Sequence, residues 1–216
     1  MSQVVVGVLK GRQAEAARND AAIIAAAREV FLRDPAATMA AVADAAGVGV
    51  GGLYRRYAGK DELLQRVCGD GLRGFVKLAD EALAGTGDAW AAFERFLQGV
   101  VDSDVHALTM RLVGTFRSTE ELRALAARST VTIERLVRRT QRSGGLRRDV
   151  VAADLPMLLQ QLSAVAVSDS DRTKQLRRRY LRLSLDGLRV VHPDDGRLPG
   201  PGPTPAELGE RWLLSR

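Results

Sequence analysis

The stretch Thr38–Leu64, TMAAVADAAGVGVGGLYRRYAGKDELL, decides how this chain of 216 residues is read. Thr38 stands directly before a run of small apolar residues and predicts an N-cap for a short helix through Ala46. Gly47 ends that helix, and a second short helix is expected over roughly Val50 to Tyr57. Lys60-Asp61-Glu62 opens a long helix reaching about Leu83, its early acidic residues suiting the positive end of a helix dipole. Ala40, Ala41, Ala43 and Ala46 are small enough to let the two short helices cross closely. Val42, Val48 and Leu53 would plug the core beneath them. Two short helices around a tight glycine turn form the arrangement that exposes its second helix to a DNA major groove.

Outward from this stretch the chain reads as helices throughout, because apolar residues recur at three and four and β-type alternation is nearly absent. A first helix is expected from about Arg18 to Arg33, with Ile23, Ile24, Ala27, Val30 and Phe31 inward. It is stopped by Asp34-Pro35 and preceded by a flexible arm at 1–17. After Gly85-Thr86-Gly87, Asp88 caps a helix carrying Trp90, Phe93, Phe96, Leu97 and Val100. A shorter helix is expected over Val105–Val113, and another from Ser118 to about Arg142, with Glu121 completing a capping box. Ser143-Gly144-Gly145 breaks the chain. Helices then start at Asp154, with Pro156 in the first turn, and at Asp171, the last ending near Val191. The fold class is all-α: a helix-turn-helix domain at 18–65, a helical bundle at 66–192, and a flexible Pro- and Gly-rich tail at 193–216.

Composition narrows the function. No apolar run approaches the roughly 18 residues needed to cross a bilayer, and no secretory leader is evident, so a cytoplasmic protein without membrane contact is expected. Cys68 is the single cysteine, and His106 and His192 lie far apart without carboxylates at ligand spacing. Neither a disulfide nor a metal site is expected, and no cofactor. A net charge of +6 suits a polyanionic partner. All but four of the 32 basic residues are arginine, however, a bias that a GC-rich genome would write anyway.

The central stretch resembles the TetR family of bacterial regulators. The resemblance rests on Thr38, Val42-Ala43, Ala46-Gly47-Val48, Gly51, Leu53-Tyr54, Lys60 and Leu63-Leu64, with Ile23, Ala26-Ala27 and Phe31 upstream. Leu146-Arg147-Arg148-Asp149-Val150 and Ala153-Asp154-Leu155-Pro156 resemble the C-terminal domain of an actinobacterial branch, the SbtR-like regulators. The resemblance implies a repressor that binds a palindromic operator on double-stranded DNA as a homodimer and is released by a small-molecule effector. It gives the DNA contact to Arg18, Thr38, Val50, Gly52, Tyr54, Arg55, Arg56 and Lys60. Tyr54 and Lys60 would meet phosphates, and Arg55 could fork onto a guanine. It gives the effector pocket to Phe75, Trp90, Phe93, Phe96, Met110 and Phe116. The chain departs from the family pattern where Gly49 stands for Ser, Gly52 for Thr, Arg56 for His and Tyr57 for Phe. With Gly47, Gly49, Gly51 and Gly52 crowding one turn, the recognition helix is expected to be weakly formed until DNA orders it.

Blander readings stand beside these. Tyr57 reads as a core aromatic, Cys68 as an inert small hydrophobe, and the aromatic cluster as ordinary core. Leu155–Val167 is apolar on nearly every side. The last helix carries one stripe of Leu176, Tyr180 and Leu183 and another of Leu181, Leu185 and Leu188. A helix apolar on two faces needs two burial partners. The twin-helix contact is assigned to Leu158, Leu162, Leu181, Leu185 and Leu188, a core-buried helix in a monomer being the alternative. The competing function is a helical enzyme or small-molecule carrier with no DNA role. Against it stands the lack of an acid–base pair, nucleophile constellation or phosphate loop in the sequence.

Overall fold

The computed structural model describes residues 2–104, 108–109, 112, 114–190, 196–204 and 206–207, with side chains from Glu15 onward except Ala16. The expected helix at Val105–Val113 lies largely outside the described residues. The chain separates into two compact units, Met1–Val67 and Cys68–Arg216.

In the first unit α1 spans Ser2–Arg33, α2 Met39–Ala45 and α3 Val50–Tyr54, followed by the start of α4, Lys60–Ala84. Helix α1 begins at Ser2 and not at Arg18, so residues expected as an arm continue the helix. Leu9, Lys10, Gln13 and Ala14–Ala17 are strong helix formers that carry the helix back past Arg18, whereas Val4–Val6, Gly7 and Val8 are poor ones and give no local reason for its start at Ser2. At its other end the Asp34 N–H still reaches the Val30 carbonyl at 2.8 Å. The Asp34 carboxylate then turns the chain by accepting the Ala36 N–H at 2.8 Å. Ile23, Ala27, Phe31, Val42, Ala43, Leu53, Leu63, Leu64 and Val67 are buried, and each large one contributes roughly 1.5–3 kcal/mol on leaving water.

Thr38 caps α2 as expected, its Oγ1 accepting the Ala41 N–H at 3.2 Å. Helix α2 closes in a Schellman turn. Gly47, at φ +64°, donates to Asp44 O at 3.0 Å, and Val48 donates to Ala43 O at 3.0 Å. Only a residue at ease with positive φ can make that turn, which is why glycine stands there. Glu62, in the first turn of α4, reaches back to accept the Ala58 N–H at 2.6 Å.

In the second unit α5 (Ala89–Asp102) packs on α6 (Glu120–Arg142), α7 (Asp154–Ala164) and α8 (Ser170–Leu188), and α7 packs on α8. The cap of α6 is Thr119, one residue after the expected Ser118, with Oγ1 accepting the Leu122 N–H at 3.2 Å. Asp169 caps α8 through the N–H groups of Asp171 and Arg172. Arg139 closes the far end of α4, donating to the carbonyls of Ala82 at 2.7 Å, Leu83 at 2.8 Å and Gly85. Arg177, buried on α8, donates to Val165 O at 2.9 Å and Ser163 O at 3.0 Å and pairs with Asp104, so one guanidinium ties the ends of α7 and α5 to α8.

The turn after α6 meets the end of α8. Leu146 and Arg189 form an isolated antiparallel bridge, and the Arg147 N–H donates to Leu188 O at 3.1 Å. A side chain at Gly145 would lie 2.9 Å from Trp90 Cβ, and the Arg189 guanidinium sits 5.5 Å above the Trp90 ring. Beyond it the tail is docked where described, against the expectation of a loose segment. The Leu198 N–H donates to Asp149 Oδ2 at 2.7 Å, Arg147 donates to Gly196 O, and a Cβ at Gly202 would meet Val151 at 2.6 Å. No helix of the described residues is long and apolar enough to cross a membrane.

Candidate nucleic-acid interface

Helix α3 is shorter than its expected span to Tyr57: it ends at Tyr54, and Arg55 is its C-cap. Its N-cap Gly49 offers no side chain to the first N–H groups, and Gly51 and Gly52 remove two more from a helix of five residues. What remains outward is specific. Val50 is 42 % exposed, Tyr54 51 % exposed, and Arg55 stands out beside them. Leu53 alone turns inward and is fully buried. An apolar residue, a phenol and a guanidinium therefore share the open side of a helix anchored by one leucine.

The other expected DNA residues divide. Arg18, on α1, is exposed. Thr38 is exposed too, and its cap bond uses the hydroxyl as acceptor, leaving the O–H as a donor. Gly52 is half-buried, and a Cβ there would meet nothing nearer than the Arg55 guanidinium at 3.8 Å. Lys60 is engaged within the fold. Its Nζ donates to Pro35 O at 2.8 Å and lies 5.3 Å above the Phe31 ring. Arg56 is also engaged, 3.4 Å from Asp20 Oδ1.

Asp20 is the residue that sequence reasoning missed. It lies on α1, 36 and 37 residues from Arg56 and Tyr57, and a lone acid on a mixed helix face carries no local signal. Tyr57 is buried as expected, but its hydroxyl donates to Asp20 Oδ1 at 2.8 Å. Burial first, and then that carboxylate, push the Tyr57 phenol up to about 12, so it stays protonated through any physiological pH. Cys68 is buried, and that burial pushes its thiol up to about 12.

In the second unit Phe75, Trp90, Phe93 and Phe96 lie in one buried cluster, Phe75 edge-on to Phe96 at 5.3 Å between ring centroids. Phe116 is half-buried before α6, and Met110 lies outside the described residues. The stripes of α8 are placed the other way from the expected twin contact. Leu162, Leu181 and Leu185 are buried in the protomer's own core, with Leu158 and Leu188 packed against it. Tyr180, 45 % exposed, and Leu183, 57 % exposed, face out instead. Either stripe satisfies the helical period, and packing on α5 and α7 selects the all-leucine one. An open groove of about 340 Å³ runs along the outer side, lined by Leu158, Gln161, Leu162, Val165, Tyr180, Leu183 and Ser184.

Comparison with known proteins accords with this geometry. Residues 23–67 match the family model of bacterial regulatory proteins of the tetR family, and residues 87–190 that of the SbtR-like transcriptional regulator C-terminal domain. No curated protein sequence matches the chain. Among solved structures, a TetR transcription regulatory protein from Mycobacterium vanbaalenii is 30% identical, with a TM-score of 0.56 over 82% of this chain and 99% of that one. The TetR regulator SCO0520 of Streptomyces coelicolor is 22% identical, with a TM-score of 0.58 over 81% and 99%. LfrR of Mycobacterium smegmatis, solved in complex with proflavine, is 21% identical with a TM-score of 0.58 over 82% and 99%. An N-terminal helix-turn-helix presenting α3, followed by a helical SbtR-like unit, places this chain in the TetR family of transcriptional regulators, which bind DNA and are not enzymes.

Proposed function

We propose that the chain acts in the bacterial cytoplasm as a homodimeric repressor, two α3 helices entering successive major grooves of a palindromic operator until an effector bound in the second unit releases them. The observation that carries this reading is the outward set Val50, Tyr54 and Arg55 on a helix that buries only Leu53. Val50 can touch a thymine methyl, Arg55 can fork onto guanine, and Tyr54 with Arg18 and Thr38 can donate to phosphates. The effector reading is supported by the aromatic cluster of Phe75, Trp90, Phe93 and Phe96, with Met110 and Phe116 following in sequence. The proflavine bound by LfrR supports an aromatic, planar ligand class. The dimer reading is supported by exposed Tyr180 and Leu183 beside the α7–α8 groove.

Selecting bound duplexes from a genomic pool is the experiment. An enriched inverted repeat with half-sites about one helical turn apart is expected. Retention of DNA without any shared sequence would overturn the operator reading, and no retention at all would leave a helical carrier as the better account.

A further inference from the structure

The recognition helix is the shortest helix of its unit, yet its open side has to be held in register. It has five residues, two of them glycines, and no side-chain cap at its start. Neither Gly51 nor Gly52 has a positive φ, and no atom lies within 4 Å of a Cβ built at Gly51. The fold therefore does not demand those glycines, and order must reach the helix from outside.

It arrives at the C-terminal end, through Asp20. The Asp20 Oδ1 accepts the Tyr57 hydroxyl at 2.8 Å and the Arg56 guanidinium at 3.4 Å, while Oδ2 faces Arg66 at 3.9 Å. The carboxylate is about one-third exposed, and the Tyr57 ring below it is buried. One acid on α1 thus joins the turn after α3 to α4. Two of its partners, Arg56 and Tyr57, are the positions where the chain departs from the family's His and Phe. A phenylalanine there could fill the same space but could not donate to a carboxylate.

We propose that Asp20 is a positioning residue for DNA reading: by holding the Tyr57 hydroxyl and the Arg56 guanidinium it fixes the end of α3, and with it Tyr54 and Arg55, relative to α1. The inference rests on the DNA-binding reading of α3. Asp20 itself touches no base. Its effect is on discrimination, because phosphate attraction survives a loosely held helix whereas bidentate base contacts do not.

The test compares affinity for the selected operator with affinity for a scrambled duplex of equal length. Tyr57→Phe is expected to lower that ratio roughly tenfold, the size of one hydrogen bond to a charged group, Asp20→Ala at least as far because Arg56 loses its partner too, and the double variant no further than Asp20→Ala alone. Asp20→Asn, which keeps an acceptor for the Tyr57 hydroxyl but loses the charge that faces Arg56, is expected to recover part of the ratio. Ratios within about twofold of wild type for both single variants would overturn the proposal, as would equal losses on both duplexes. Amide exchange without DNA supplies the second measurement. Asp20→Ala is expected to speed exchange from Leu53 to Tyr57 while α2 is unchanged, and unaltered rates there would refute the brace whatever the DNA result. A wild type that discriminates no duplex would instead refute the DNA reading, and exchange would still judge the brace.

Discussion

Lys60 illustrates how one side chain can be claimed by the fold before a ligand arrives. Its ammonium meets the Pro35 carbonyl and the face of Phe31, closing the short loop between α1 and α2 from the far side of the helix-turn-helix. Lys60→Ala is expected to lower the unfolding free energy by about 1–2 kcal/mol, since it removes a charge-assisted hydrogen bond and a cation–π contact at a partly buried site. The salt dependence of DNA binding should stay as in wild type, and a slope flatter by one would restore Lys60 as a phosphate contact. Arg55 is the opposite case, exposed at the C-cap of α3. Arg55→Ala is expected to relax preference at one guanine per half-site, costing about 1–3 kcal/mol on operator alone, which a panel of single-base operator variants measures. Thr38 and Gly47 were legible from sequence because caps and αL turns are local chemistry. The Lys60–Pro35 and Asp20–Tyr57 bonds were not, because partners dozens of residues apart leave no periodic trace.

Among the elements, α3 and the docked tail respond in contrasting ways. Gly51→Ala places a methyl group in open space at an ordinary helical φ, so it is expected to stabilise the first unit by about 1 kcal/mol. Chemical denaturation checks this, and a loss of stability would mean that α3 is not helical in solution. The tail depends on Asp149. The Arg147 guanidinium and then the Leu198 amide hold the Asp149 carboxyl at about 2, below its ordinary value near 4. A depressed carboxyl contributes stability above its unfolded value and loses it as pH falls through the folded one. Tail attachment is therefore constant from neutral pH down to about 4 and fades between there and about 2. Exchange of the Leu198 amide, relative to its intrinsic rate, is expected to rise only in that window. In Asp149→Asn it should be raised already at neutral pH, and a rise in wild type beginning near neutrality would contradict this account. Most helix boundaries were readable from Pro, Gly and capping residues. The start of α1 and the end of α3 were not, since no single residue announces either. The tail's docking was hidden for a related reason: Pro and Gly forbid helix but say nothing about what an extended segment lies against.

At the scale of the whole molecule, the two stripes of α8 show where periodicity stops being informative. Both repeat correctly, and only packing on α5 and α7 turns Leu181 and Leu185 inward. If a second copy covers the outer stripe, Leu183→Glu is expected to yield folded monomers with loss of operator binding. Leu185→Glu, which forces a charge into a buried site, is expected to unfold the chain. Sedimentation with circular dichroism separates the two, and a Leu183→Glu protein that remains dimeric would move the interface elsewhere.

The corner built on Gly145 offers an optical consequence. Trp90 sits there with a glycine backbone against its Cβ and the Arg189 guanidinium over its ring, within the buried cluster that also holds Phe93. The chain contains two tryptophans, so Trp212→Phe leaves Trp90 as its sole indole. The emission colour of that single fluorophore follows the wetness of its surroundings. It would therefore report the fit of α5 against the final turn of α8 in a cuvette, with neither label nor DNA, while candidate effectors are titrated in.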